Sequence, residues 1–171
     1  MRAGWRRHYE KLFRNEFSSR ILQEMKKLLG FLAYFFPPPL NKVLHQLRGV
    51  NFRDPKTTWI GVNVHIDNKF PDLVSIGEQV TIAFGAKIFA HMDPPQSMAK
   101  RYLPAYTREV RIGNNVFIGA GALILPGVTI GDWVIVAAGA VVNKSLPDFA
   151  VAAGNPAKII GDLRQKNSTG T

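Results

Sequence analysis

The sequence contains no cysteine, which removes disulfides, thiolate metal ligands and an acyl-cysteine intermediate together. That absence fits a reducing compartment, and a cytoplasmic location is expected. Histidine is scarce: His8, His45, His65 and His91 are all there are, so a proton acceptor tuned near neutrality has few candidates. No apolar run approaches the ~20 residues of a membrane span. The strongest, Leu28 to Phe36, has 27 residues before it and three prolines after it, with no small-residue cleavage site, so neither a spanning helix nor a signal peptide is expected. Acidic residues are also few, 12 against 22 Lys and Arg for a net charge of +10. The imbalance is local. Residues 1–58 hold 12 basic and 4 acidic side chains, whereas residues 59–171 hold 10 and 8. A basic arm of this kind is drawn to acidic lipid headgroups or nucleic acid, although a solvated helical face explains it without a partner. No nucleic-acid partner is expected.

What the chain has is a repeat. Ile112, Ile118, Ile124, Ile130, Val136 and Val142 recur every six residues, and Val116, Ala122, Val128, Val134, Ala140 and Leu146 follow each at the fourth place. A strand alternates with period two and a helix with 3.6. A period of six with a glycine-rich phase instead describes short strands separated by sharp bends, stacking large aliphatics inside. The pattern begins at Ile60, Val64 and Ile66, slips by four residues across Asp67 to Lys69, and resumes at Phe70, Ile76, Ile82 and Ile88. It is lost again through AHMDPPQSMAKRYLPAYTREV, whose prolines and charges mark an extruded loop over residues 92–109. Residues 59–164 are therefore assigned to the repeat domain and residues 165–171 to a flexible tail.

Residues 1–58 form a basic helical arm. Trp5, Tyr9, Leu12, Phe13 and Phe17 share one helical face, and Ser18 or Ser19 is placed to cap a second helix through Leu32. Pro37, Pro38 and Pro39 break it. A short helix from Leu40 to Leu47 follows, with Gly49 at its end. The arm has two readings: residues 1–48 lie on the inner surface of a membrane, or they pack on the end or side of the repeat domain and cover an open edge.

The stretch IGNNVFIGAGALILPGVTIGDWVIVAAGAVV followed by VAAGNPAKII resembles the hexapeptide-repeat acyltransferases, the group that includes galactoside, serine and streptogramin acetyltransferases. The resemblance covers residues 60 to 160. It implies a left-handed parallel β-helix with three hexads per coil, working as a homotrimer, with acetyl-CoA as acyl donor. The implied reaction moves an acetyl group to a sugar hydroxyl, free or nucleotide- or lipid-linked, in polysaccharide or glycan assembly. N-acetylation of an amino sugar is an alternative within the same fold, and a non-catalytic, membrane-docked scaffold is an alternative of another class.

By the same resemblance His91, in FAHMDPP beside the extruded loop, stands where the family carries its general base, and an imidazole suits that task. Gly119, Ala120 and Ala138 match contacts to the pantetheine arm of coenzyme A. Asn143 and Lys144 match the pair near its adenine and 3′-phosphate, and Lys158 a nearby basic residue, where a lysine has a phosphate to neutralise. Phe117 departs from the family's tryptophan. Asp67 and Asn68 on the slip, with Asp93 on the loop, are candidates to bind the acceptor or to orient His91, and each is equally suited to a turn. His65 is read as a surface or subunit-contact residue, His8 and His45 as structural. No histidine follows His91, so no metal is expected.

Overall fold

The computed structural model describes the backbone of residues 2–168 and the side chains of residues 19–165. The chain opens with one long helix, α1 (Arg2–Phe35), turns through the prolines, and forms α2 (Leu40–Leu47). The break expected near Ser18 and Ser19 is absent: leucine, lysine and glutamate on both sides carry the helix through. The apolar face from Trp5 to Phe17, and His8 with it, falls outside the described side chains. Gly49 takes a left-handed φ of 107° directly after α2, which glycine adopts without a Cβ penalty.

The strands are short and come in strict rotation. They are β1 (Asn51–Phe52), β2 (Trp59–Ile60), β3 (His65–Ile66), β4 (Val74–Ile76), β5 (Thr81–Ile82) and β6 (Lys87–Ile88). An excursion follows, in which β7 (His91–Met92) pairs antiparallel with β8 (Tyr106–Thr107) around α3 (Gln96–Arg101). The rotation resumes with β9 (Val110–Ile112), β10 (Phe117–Ile118), β11 (Leu123–Ile124), β12 (Thr129–Ile130), β13 (Ile135–Val136) and β14 (Val141–Val142). It closes with β15 (Ala150–Ala153) and an antiparallel β16 (Lys158–Asp162). Three parallel sheets result: β1-β4-β9-β12, β2-β5-β10-β13-β15 and β3-β6-β11-β14.

The register explains the period. Ile60, Ile82, Ile118 and Val136 stand side by side in one sheet, and Ile66, Ile88, Ile124 and Val142 in another. Each is buried, as are their companions Val64, Val80, Ala86, Val116, Ala122, Val134 and Ala140. Three hexads return the chain to the same sheet, so every repeat adds one rung to three aliphatic stacks. Burying each isoleucine contributes ~1.5–3 kcal/mol.

Several boundaries differ from expectation. The first rung of the coil is β1, paired with β4, eight residues ahead of the assigned start at residue 59. Val50 and Phe52 keep the hexad's two inward positions, and two extra residues before Ile60 hid them from a strict count. Phe70 is not a repeat residue. It precedes a 3-10 turn at Pro71–Leu73, and the coil resumes at Val74. Leu163–Ser168 also form 3-10 turns. The assigned tail thus begins within those turns, and its residues 169–171 lie outside the described part.

The arm packs against the start of the coil, where strands lack neighbours and their backbone groups need partners. Asn41, fully buried, donates to the carbonyls of Ile60 and Gly61, both at 2.9 Å. The Tyr34 carbonyl accepts from Asn63 N–H at 3.0 Å. Arg48, 1% exposed, donates to the carbonyls of Ile66 and Asp67 (2.7 Å for the latter) and to His45 Nδ1. Gly30 lets α1 approach: a Cβ there would lie 2.3 Å from Asn68 Oδ1 and 2.9 Å from Arg48 Nη1.

Two outcomes follow. Arg48→Met strands buried carbonyls and should cost about 2–5 kcal/mol, read as a fall in chemical-denaturation midpoint; an unchanged midpoint would show that the cap is idle. His45 is held neutral, its pKa lowered to about 3 by burial and by the Arg48 charge beside it. An unfolded histidine takes up a proton near 6.5, so this group's stability is complete above that pH and is lost as pH falls toward about 3. Melting temperature should drop across that window, and His45→Asn should flatten the drop.

Candidate functional site

The four-residue slip after β3 makes the bulge Asp67 to Phe70, on the edge where the chain leaves one sheet for the next. One coil later the same edge carries His91. Asp67 is fully buried. Its Oδ1 accepts from the N–H groups of Lys69 (2.9 Å) and Phe70 (2.8 Å), and its Oδ2 from Ala90 N–H (2.8 Å). Oδ2 also lies 2.5 Å from His91 Nδ1. Burial pushes the carboxyl up, but the Phe70 N–H, His91 and the Ala90 N–H outweigh it, so its pKa is held below the ordinary carboxylate range. An ionised carboxylate only accepts, so Nδ1 carries a proton, and in the neutral tautomer this selects Nε2 is the nitrogen with a lone pair.

The His91 side chain is 22% exposed. Phe70 meets its ring edge-on with centroids 5.6 Å apart, and Asp93 Oδ2 lies 3.9 Å from Nε2. Lys69 Nζ bonds Asp93 at 2.5 Å and holds its pKa low. His91 opens onto a cavity of about 740 Å³ whose other walls are Asn68, Lys69 and Phe70 from the bulge and Gln23, Lys27 and Phe31 from α1. Apolar rings beside a few amides and cations make a surface suited to a small polar molecule with an apolar face.

The acceptor candidates thus separate. Asp67 has no exposed surface and lies against His91 Nδ1, which fits the second of the two roles offered for it, orienting His91, and not the first, binding the acceptor. Asn68 lines the cavity while accepting from Arg48 Nη1 at 3.2 Å. Asp93 sits exposed at the rim. His65 is half-buried against Phe89, ring centroids 5.2 Å apart, with its pKa lowered by burial and by Arg48. It makes no contact with the cavity.

The coenzyme A candidates fall on two edges. Ala120 and Ala138 are exposed on one corner, tied by Gly139 N–H to the Ala120 carbonyl at 2.8 Å. Lys158 pairs with Ala153 in the hairpin that continues that corner. Gly119 is buried, and a Cβ on it would lie 2.4 Å from Ala138 N. Its bareness therefore answers to coil stacking rather than to a ligand. Asn143 and Lys144, both exposed, follow β14 on the same edge as His91, two coils along. At about 4.8 Å per coil that is roughly 10 Å. Phe117 is 44% exposed on an outer sheet face.

Sequence reasoning missed the arm's share of the site. Gln23, Lys27 and Phe31 are ordinary residues of an amphipathic helix, and their meeting with the bulge depends on a packing angle. Two signals pointed that way: a glycine inside a good helix, Gly30, and an arginine among apolar neighbours, Arg48. Among the described residues no group of three or more His, Asp or Glu side chains is placed to hold a metal ion.

The family signature described as bacterial transferase hexapeptide (six repeats) matches residues 109–144. The chain is 30% identical over 147 residues to galactoside O-acetyltransferase of Escherichia coli K12, covering 86% of this chain and 69% of that protein. Among solved structures, a hexapeptide-repeat acetyltransferase from Vibrio cholerae superposes with a TM-score of 0.66 at 23% identity, over 84% of this chain and 92% of that one. Galactoside acetyltransferase in complex with coenzyme A superposes with a TM-score of 0.55 at 23% identity, over 88% and 85%. By its repeat and by this kinship, the chain belongs to the hexapeptide-repeat transferase family, among the acetyltransferases.

Proposed function

We propose that this protein is a left-handed β-helix O-acetyltransferase that moves acetyl from acetyl-CoA to a sugar hydroxyl, as a homotrimer. The observation that carries this reading is the 2.5 Å pair of Asp67 and His91 facing the cavity between bulge and arm. His91 Nε2 takes the acceptor's hydroxyl proton as that oxygen attacks the thioester carbonyl. The carbonyl oxygen becomes an oxyanion, for which a backbone N–H is the expected donor. Collapse reforms the carbonyl and breaks the C–S bond, and the departing thiolate recovers the proton from His91. Asp67 stays ionised throughout and stabilises the imidazolium, in the manner of a positioning carboxylate. Asn68 and Gln23 amides suit sugar hydroxyls, and Phe31 and Phe70 suit the apolar face of a pyranose. The relative named galactoside O-acetyltransferase and the coenzyme A-bound fold neighbour support the choice of acceptor and donor.

Coenzyme A would lie along the Ala120–Ala138 corner of one subunit, where bare backbone permits close approach, facing the His91 edge of the next. Asn143, Lys144 and Lys158 would supply its polar and phosphate contacts. This arrangement needs more than one chain, because the two edges of a single coil face different ways.

Three measurements test it. His91→Ala should lower kcat by ~10²- to 10⁴-fold in thiol release with an accepted sugar, with coenzyme A affinity kept; a loss below about tenfold would remove His91 from the role. His65→Ala is the control and should retain most activity. Asp67→Asn should reduce kcat by about 10²-fold or more by favouring the wrong tautomer, compared at a temperature where the variant, whose amide nitrogen meets a buried backbone N–H, is still folded. Light scattering at micromolar concentration should report a trimer, and a fully active monomer would contradict the shared groove.

A further inference from the structure

The helical arm is amphipathic in the reverse sense. A helix packed on a globular domain ordinarily turns apolar residues inward and polar ones out. Among the described residues of α1 the buried positions are Gly30 and Ala33, and Lys26 reaches from the inward side to Asp72 at 3.2 Å. The side facing away carries Ile21, Met25, Leu28 and Phe35 at helical spacing, 45%, 52%, 58% and 60% exposed. α2 repeats the arrangement. Its Asn41, His45 and Arg48 are buried in the coil cap, while Leu40, Val43 and Leu47 are exposed. α1 and α2 pack together, so over the described residues the outer side of the arm is largely apolar, with Arg20 and Glu24 among its exposed residues. An apolar surface of this extent rarely stands open to water.

Charge decides what covers it. Within residues 1–20, all but the first residue in α1, six Arg and Lys stand against two Glu. The basic excess of the chain is concentrated in residues 1–58. A second copy would bring the same positive charge against itself, whereas acidic headgroups supply the opposite charge and an apolar layer in one surface. No described helix is long and apolar enough to cross a membrane.

We propose that the outward face of α1 and α2 docks this protein onto an anionic lipid bilayer, with the arm lying in the interface plane. Phe31, Gln23 and Lys27 of the same helix wall the His91 cavity, so docking sets that cavity within about one helix diameter, ~10 Å, of the lipid surface. On the acyl-transfer reading, and resting on it, the acceptor is then a glycan carried at the membrane rather than one free in solution.

The test uses the full chain sedimented with phosphatidylcholine vesicles, with and without a quarter phosphatidylglycerol, at low and high salt. Retention should require phosphatidylglycerol and weaken as salt screens the charge. The neutral triple variant Met25→Gln, Leu28→Gln, Phe35→Gln should lower retention at least tenfold while helicity and melting temperature hold. Should that variant melt early, Val43→Gln with Leu47→Gln on α2 makes the same test. Equal retention of protein and variant, or no retention of either, overturns the proposal. So does a variant that changes the sedimentation coefficient of the lipid-free protein without changing vesicle binding, which would assign the face to another copy. None of these outcomes depends on enzymatic activity, so a failed membrane contact and a failed acetyl transfer are separately visible.

Discussion

A coil of parallel strands satisfies its backbone by stacking each turn on the one before, and at its first turn there is nothing to stack on. The rest of this structure depends on how that end is closed. Arg48 is the centre of the closure: a guanidinium with almost no exposure, donating to the Ile66 and Asp67 carbonyls and to Asn68 and His45. Burial lowers even its pKa, to about 10, against the supporting charge of Asp67. A buried cation is retained only where its donors are satisfied. Here they are satisfied by the backbone of the bulge, so the element that seals the fold also shapes the site.

That coupling gives the helical arm its place in the molecule. The bulge gains four residues that no repeat requires, and the Asp67 carbonyl is met by Arg48, at the end of α2, rather than by a neighbouring strand. Asp67 is thereby fixed with both oxygens occupied, and the imidazole one coil above has a single orientation open to it. Gly30 brings α1 close enough for Gln23, Lys27 and Phe31 to wall the cavity. In physical terms the end cap helps to preorganise the Asp67–His91 pair.

Much of this was legible in the sequence. The hexad period predicted the stacks at Ile118, Ile124 and their neighbours because one constraint, a repeated inward aliphatic, acts at every turn. His91 stood out as a candidate through the family resemblance together with its place beside the extruded loop. What was not legible lies between elements. Asp67 reads equally as a turn residue, an acceptor contact or a partner of His91, and only its burial against that ring selects among them. Phe52 was hidden by two extra residues in the first turn, and Phe70 imitated a repeat position because the slip left an apolar residue near the right phase. The two edges that carry Ala138 and Lys144 became distinct only once strands were assigned to sheets.

The central claim is that Asp67 holds the proton on His91 Nδ1 and leaves Nε2 free to act. Nitrogen-15 correlation spectra of the four histidine rings test it most directly, with His91→Gln used to assign the signal. For the neutral form of the ring the account predicts a protonated Nδ1 and a bare Nε2, and the loss of that preference in Asp67→Asn. A His91 ring protonated on Nε2, or one whose tautomer is indifferent to Asp67, would contradict it.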